Sequence, residues 1–279
     1  MRLRIDLAYD GGDFRGWAAQ PGLRTVQGEL TTALTTVLRL PEEAQVTCAG
    51  RTDSGVHARG QVVHVDVDPE VSKTAARQVT QLEVLARRLN GFLPRDVRVR
   101  RVTEAPAGFD ARFAALWRRY AYRIVDDPAR VDPLTRNHVL SWPRALDVAA
   151  MDQAAGTLVG LHDFAAFCKK REGATTIRTL LDFGWTRAED GMLVGHVRAD
   201  AFCHSMVRAL VGCMIAVGEG RKEAGWAAEI LTGLRRDPNV VVVPAHGLTL
   251  EEVAYPEDAA LAARVELTSA RRSGTEVEG

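Results

Sequence analysis

"AQVTCAGRTDSGVHARGQVVHVDVD" spans Ala44–Asp68. "AQVTCAG" reads as a short strand, "GRTDSGVH" as a polar, glycine-bearing loop, and "GQVVHVDVD" as a strand with Val63, Val65 and Val67 on one face. Upstream, "RLRIDLAY" (Arg2–Tyr9) alternates Leu3, Ile5 and Leu7 with charged residues, the period of a half-buried strand. "TVQGELTTALTTVLRL" places Val26, Leu30, Leu34 (or Ala33), Val37 and Leu38 at helical spacing behind a Thr25 cap and before Pro41. Downstream, Thr74–Asn90 reads as one helix closed by Asn90-Gly91, and "VRVRRVT" as a fourth strand. The order β-α-β-β-α-β is ferredoxin-like, an antiparallel sheet with two helices on one face.

The second half repeats the order less cleanly. "RRYAYRIV" is a strand and Leu146–Val159 a helix, and "IRTLLDFGW" and "MLVGHVRADAF" are strands around the turn Glu189-Asp190-Gly191. His204–Val217 and Glu223–Leu231 are helical, and "GLTLEEVAY" is a final strand. The expected division is an α+β chain with one ferredoxin-like half at 1–107, a second at 108–264 and a disordered tail at 265–279. Two such halves facing each other would leave a cleft between them.

The 279 residues suffice for a sizeable core, and 46% hydrophobic with 26% charged residues is ordinary for a globular protein. No apolar run reaches membrane-spanning length, and "MRLRIDLAYD" has no signal-peptide core. Cys48, Cys168, Cys203 and Cys213 show no CxxC spacing, so reduced thiols in a cytoplasm are expected instead of a disulfide or zinc site. Net charge is zero, yet Arg87–Arg130 holds eleven arginines against five acids. Such a stretch suits a phosphate backbone. Only four of the 36 basic residues are lysine, so abundant arginine alone is weak evidence.

Within "GRTDSGVH", Asp53 is a candidate nucleophile or base and Arg51 a candidate for holding a phosphate or a flipped base. Spacing alone favours the plainer alternative, an aspartate that closes a turn. His57 and His64 fit no metal motif and read as structural. There is no P-loop, GxGxxG, HExxH or GxSxG, which counts against nucleotide hydrolysis, a nicotinamide cofactor and a serine hydrolase. "FDARFAALWRRYAYRI" interleaves Arg112, Arg118 and Arg119 with Phe109, Phe113, Trp117, Tyr120 and Tyr122, a pattern suited to RNA. The alternative is a strand with Tyr120, Tyr122 and Ile124 in the core. Arg208 sits among apolar neighbours in "AFCHSMVRALVG", where an arginine is costly unless it meets a carboxylate. Asp53 is a natural partner.

These segments, with "YDGGDFRGW", "LPRDVRV", "DFAAF" and "HGLTLEEVAYP", resemble the tRNA pseudouridine synthase A family over nearly the whole chain. The most specific match is G-R-T-D-x-G-V-H followed by G-Q-V-V-H. The resemblance implies a cytoplasmic homodimer of the pseudouridine synthase fold that isomerises uridine at tRNA positions 38, 39 and 40, with no metal and no organic cofactor. It implies that Asp53 is the essential aspartate, attacking ribose C1′ or the uracil ring, or assisting elimination to a glycal. Tyr120 would pack on the target base and is a candidate for removing the C5 proton. Arg208 would pair with Asp53, Arg51 would enter the space left by the flipped nucleotide, and Leu248 would lie under the uracil. Arg112, Arg118 and Arg119 are candidates for the RNA backbone. Three departures stand out: Ser54 after the aspartate, Ser205 before Met-Val-Arg, and extra residues in "QVTQLEVLARRL" (Gln78–Leu89). The rival readings are an RNA binder without catalysis and an aspartate-dependent hydrolase of a nucleoside glycosidic bond.

Overall fold

The computed structural model describes residues 1–71, 73–169, 175–235 and 237–269. In chain order its elements are β1 (Arg2–Tyr9), α1 (Val26–Leu38), β2 (Val46–Cys48), β3 (His57–Asp66), α2 (Lys73–Val79), α3 (Leu82–Phe92) and β4 (Val97–Glu104). There follow β5 (Trp117–Val125), β6 (Leu140–Ser141), α4 (Val148–Gly156), β7 (Gly160–Asp163), β8 (Ile177–Arg187) and β9 (Leu193–Ala199). The last are α5 (Met206–Gly218), α6 (Trp226–Thr232), β10 (Leu248–Ala254) and α7 (Leu261–Ser269). The class is α+β, with mainly antiparallel strands.

The chain forms two compact units, Met1–Leu116 with the segment from Leu250, and Trp117–Thr249. In the first, β4-β1-β3-β2 is the ferredoxin-like strand order. Leu3, Ile5 and Leu7 are fully buried, as their alternation requires. Helix α1 starts where Thr25 Oγ1 accepts the Gly28 N–H, and it buries Val26, Leu30, Ala33, Leu34 and Leu38. The single helix expected over Thr74–Asn90 is instead two. Thr80 Oγ1 donates to the Arg77 carbonyl, and Gln81 leaves helical geometry at φ −132° and ψ 63°, so the chain turns before α3. Asn90 does not end α3. Its side chain both donates to and accepts from the Val99 backbone, tying the helix to β4.

The expected boundary at 107/108 lies instead at 116/117, and most of the final strand belongs to the first unit, beside β3. Gly60 permits this, since a Cβ there would stand 2.2 Å from the Glu251 carbonyl oxygen. Arg59 adds an ion pair to Glu251 at 3.0 Å. The expected tail also begins later, because α7 runs to Ser269, with Arg264 and Thr268 donating to the Ala115 and Phe113 carbonyls. The remainder of that tail, 270–279, lies outside the described residues.

In the second unit β5-β9-β8-β7 is antiparallel, and β7 is an edge strand that the sequence pattern did not signal. A part-buried ion pair joins Asp126, which is nearly inaccessible, to Arg187 through two bonds of 2.7 and 2.9 Å. Asp126 Oδ2 also accepts the Leu146 N–H, which sets the approach to α4.

The four reduced thiols expected from spacing are not found. Cys168 and Cys203 are disulfide-bonded, while Cys48 and Cys213 are free and buried. The bonded residues lie 35 positions apart, and the fold brings them together beside a Lys169 N–H to His204 carbonyl bond of 3.1 Å. Burial pushes the Cys213 thiol up to about 12, so it stays protonated and inert. Protein purified without reductant and then denatured should titrate two thiols; four would contradict the bond.

The hydrogen bonds from Arg187 hold the Asp126 carboxyl below the usual carboxylate range despite its burial. The unfolded state therefore binds the proton more readily, and this contribution to stability is present at neutral pH and lost as pH falls through the folded value. Asp126→Asn should cost about 2 kcal/mol at pH 7, less than the roughly 3–5 of a fully buried pair because water reaches part of Arg187. The gap from the parent protein should close in acid. A constant gap in denaturant melts from pH 7 to pH 3 would refute the assignment.

Candidate active site

Residues 49–56, between β2 and β3, are pinned at nearly every position. Ala49 N–H donates to Val62, and the Gly50 carbonyl accepts from Gln61 Nε2 at 2.8 Å. Gln61 is completely buried, and the same Nε2 donates to the Tyr9 hydroxyl at 3.2 Å. That hydroxyl lies 2.8 Å from Thr52 Oγ1. Tyr9 thus links Gln61 to Thr52, and either hydroxyl can donate in the second bond. This chain of three buried polar side chains fixes the residue immediately before Asp53.

The other side of the loop rests on the segment between β1 and α1. Trp17 N–H donates to the Thr52 carbonyl, and Ser54 Oγ and the Gly55 N–H both donate to the Phe14 carbonyl. Phe14 is anchored by Arg24, whose guanidinium lies 4.1 Å from its ring centroid and pairs in bidentate fashion with Asp96. Gly11 and Gly16 permit the close approach: a Cβ on Gly11 would stand 2.0 Å from the Val56 carbonyl oxygen, and Gly16 has φ +93°. Ser54, one of the sequence departures, thus has a structural bond of its own.

Asp53 is half-buried and Arg51 exposed. The turn after Asp53 is closed by the Val56 N–H on the Asp53 carbonyl, with Gly55 at φ +79°. The turn thus has a main-chain bond of its own. His57 Nδ1 lies 2.9 Å from the Gly11 amide nitrogen and 3.0 Å from Asp10 Oδ1, and His64 Nδ1 accepts the Ala111 N–H. Both histidines have structural work, and no cluster of His, Cys, Asp or Glu among the described residues is arranged to hold a metal.

The second unit places Tyr120, Arg208 and Leu248 by a separate framework. Tyr120 lies on β5, is buried, and meets Phe202 edge-on with centroids 5.2 Å apart. Two residues on, Tyr122 is inaccessible and donates to the Pro244 carbonyl at 2.7 Å. Burial pushes the Tyr122 phenol up and the Arg208 guanidinium pulls it part of the way back, so Tyr122 is a fixed donor and not a base. Arg208 is half-buried on α5, and its Nε donates to the Val243 carbonyl at 2.7 Å. The segment carrying Val243 and Pro244 ends at buried Leu248. Gly212 makes this packing possible, since a Cβ there would stand 1.8 Å from the Val241 carbonyl oxygen. Ser205, at the start of α5, takes φ +65°, a conformation that asparagine or glycine adopts at less cost.

Of the three arginines considered for RNA, Arg112 is exposed and stacks over Phe113. Arg118 is buried with Nη1 on the Asp200 carbonyl, and Arg119 is half-buried on β5. The sequence reading missed Tyr9, Thr52 and Gln61 as supports. The available signal was polar side chains at apolar positions of β1 and β3.

Gln61→Leu leaves the Gly50 carbonyl and the Tyr9 hydroxyl short of a donor, at a cost of about 2 kcal/mol. Amide exchange should quicken across 50–56 and stay unchanged in β9. Unchanged exchange in the loop would show that the buried chain does not hold it.

A family model described as tRNA pseudouridine synthase matches residues 8–114 and 154–256. A Streptomyces griseus relative called tRNA pseudouridine synthase A is 60% identical over 265 residues, covering 95% of this chain and 91% of its own. A relative of the same name from Frankia casuarinae is 59% identical over 272 residues, covering 98% and 96%. One from Mycobacterium leprae is 49% identical over 278 residues, again covering 98% and 96%. Among solved structures, a chain of a Cbf5-Nop10-Gar1 complex overlaps at TM-score 0.30 and 11% identity, covering 77% of this chain and 54% of its own, which is too slight to carry an argument. The family match spans both units and includes the whole of the pinned loop, and the chain belongs to the tRNA pseudouridine synthase family.

Proposed function

We propose that the chain isomerises uridine to pseudouridine at positions 38, 39 and 40 of the tRNA anticodon arm, through Asp53 and without metal or organic cofactor. Family membership supports the reaction and the substrate. The observation that carries the choice of Asp53 is the scaffold beneath it. The loop is braced by a buried hydrogen-bond chain on one side and a glycine-permitted backbone contact on the other.

A uridine stacked in a stem must be extruded before chemistry, at a cost of roughly a few kcal/mol. Arg51, exposed on the same loop, takes the space that the nucleotide leaves. Asp53 then acts on C1′ or the ring, or assists elimination. The N1–C1′ bond breaks, the uracil turns, and C5 bonds to C1′ with loss of the C5 proton. Each route needs an ionised, already aimed carboxylate, because reorganisation during the reaction would raise the barrier. Arg208 is proposed as the cation that keeps Asp53 charged, Tyr120 as the ring packed on the base and the candidate acceptor of the C5 proton, and Leu248 as the apolar floor under the uracil. Arg112, Arg118 and Arg119 are proposed for the backbone, with Arg112 first because it is the exposed one.

The reaction rearranges one nucleotide and needs no redox or phosphoryl donor. No described helix is long and apolar enough to cross a membrane. A homodimer working in the cytoplasm completes the proposal, resting on the family resemblance; a Cys168–Cys203 bond would be exceptional in that compartment.

tRNA tritiated at uridine C5 should release tritium to water while the uracil stays attached. Free uracil would favour a glycosidic hydrolase, and no turnover on any tRNA would leave a binder. Asp53→Ala should abolish release and largely retain tRNA binding; undiminished release would remove the central claim. Arg208→Leu should lower the rate far more than the affinity, and a preserved rate would assign Asp53 another partner.

A further inference from the structure

On the helical side of the first unit, α1, α2 and α3 border a largely open depression of about 690 Å³, lined in part by Thr36, Arg39, Arg77, Gln78, Arg88 and Phe92. Nothing in the proposed reaction uses these residues. No ion pair joins Arg39, Arg77 or Arg88 to an acid among the described residues, and no acidic side chain lines the depression. Three exposed guanidiniums therefore border one depression with no acid beside them, a surface that suits an anionic ligand. Arg39 reaches this position from the left-handed conformation at the end of α1, with φ +53°.

A second observation points to a ligand. Gln78 is completely buried, and neither its Nε2 nor its Oε1 has a hydrogen-bond partner. An amide stripped of water and left unpaired is destabilising, and such groups are rare in folded proteins. Gln78 is among the residues lining the depression, and a side-chain amide, once reached, offers the donor and acceptor that pair with the edge of a nucleobase. Phe92 is 47% exposed at the same depression and offers a face for stacking. The volume is far larger than a lone phosphate needs and falls within the usual range for a small organic ligand.

We infer that this depression binds a nucleotide of the tRNA other than the target uridine, its phosphate on Arg39, Arg77 and Arg88 and its base between Phe92 and Gln78. Gln78 and Arg88 both belong to the stretch "QVTQLEVLARRL" of the α2–α3 region. The choice of tRNA as the source rests on the proposed function; the preference for a nucleotide rests on the depression alone.

The test uses the full chain and the double variant Arg77→Ser/Arg88→Ser, both residues being exposed, with Gln78→Leu as a second variant. Filter binding at several salt concentrations gives tRNA affinity without turnover, tritium release gives kcat and KM, and calorimetry with AMP and UMP tests free nucleotides. The double variant should bind tRNA about tenfold more weakly, with a salt slope shallower by about 1 to 2, and the loss should fall on KM. Gln78→Leu should weaken tRNA binding while keeping the salt slope, and should raise the melting temperature because the unpaired amide is gone. Parent-like affinity and slope in the double variant would overturn the inference. Parent-like tRNA binding combined with loss of AMP or UMP binding would also overturn it, assigning the depression to a free nucleotide. Failure of the parent chain to turn over tRNA would sink the catalytic proposal without touching the affinity measurement that judges this depression.

Discussion

The buried chain from Gln61 through Tyr9 to Thr52 is the constraint on which the candidate site depends. Gln61 occupies a strand position where an apolar residue would be more stable in isolation, and it is retained at zero exposure because its amide meets both the Gly50 carbonyl and the Tyr9 hydroxyl. A buried polar network is destabilising when half satisfied and rigidifying when complete. Here its completion fixes the backbone on both sides of Arg51. The glycines of "DGGDFRGW" complete the clamp by letting a second backbone approach to distances that no side chain would allow. A loop so held would present the carboxylate proposed for the reaction without the reorganisation that a mobile loop imposes.

The second unit solves the same problem differently. Its apolar helix α5 packs against the 241–243 segment at Gly212, and the hydrogen bond from Arg208 Nε to Val243 orients the guanidinium along that contact. Tyr122 fixes Pro244 and crowds Gly247, so the approach to Leu248 is set from the floor of β5. Arg208, Tyr120 and Leu248 come from distant parts of the sequence, yet packing within one unit settles the position of each. The burial that makes this packing firm also keeps Tyr122 protonated, which removes it as a candidate base.

Much of the fold was legible because its signal is local. Alternation in "RLRIDLAY" and the Thr25 cap before a 3.6-residue repeat led directly to β1 and α1, and the loop between β2 and β3 fell where the glycines placed it. What escaped was long-range. The break at Thr80-Gln81 comes from a side-chain bond competing with helix propagation, within a stretch whose composition suits helix throughout. The return of β10 and α7 to the first unit depends on Gly60 and on bonds to Phe113 and Ala115, over separations of more than 140 residues. The Cys168–Cys203 bond was invisible for the same reason. Asp53 itself could not be told from a turn-former by spacing, since the turn is real and a main-chain bond from Val56 to Asp53 closes it. Gln61 and Gln78 show both outcomes for an out-of-place polar residue: one is satisfied by the fold, and the other is not.

Asp53 is the point at which scaffold, family and chemistry meet, and a cellular readout tests that convergence most directly. Pseudouridine should be mapped in tRNA from a strain lacking this gene, complemented with the parent chain or with Asp53→Asn. The account predicts that positions 38, 39 and 40 lose the modification, regain it with the parent chain, and stay unmodified with Asp53→Asn. Modification at those positions in the deletion strain, or restored by the Asp53 variant, would contradict it.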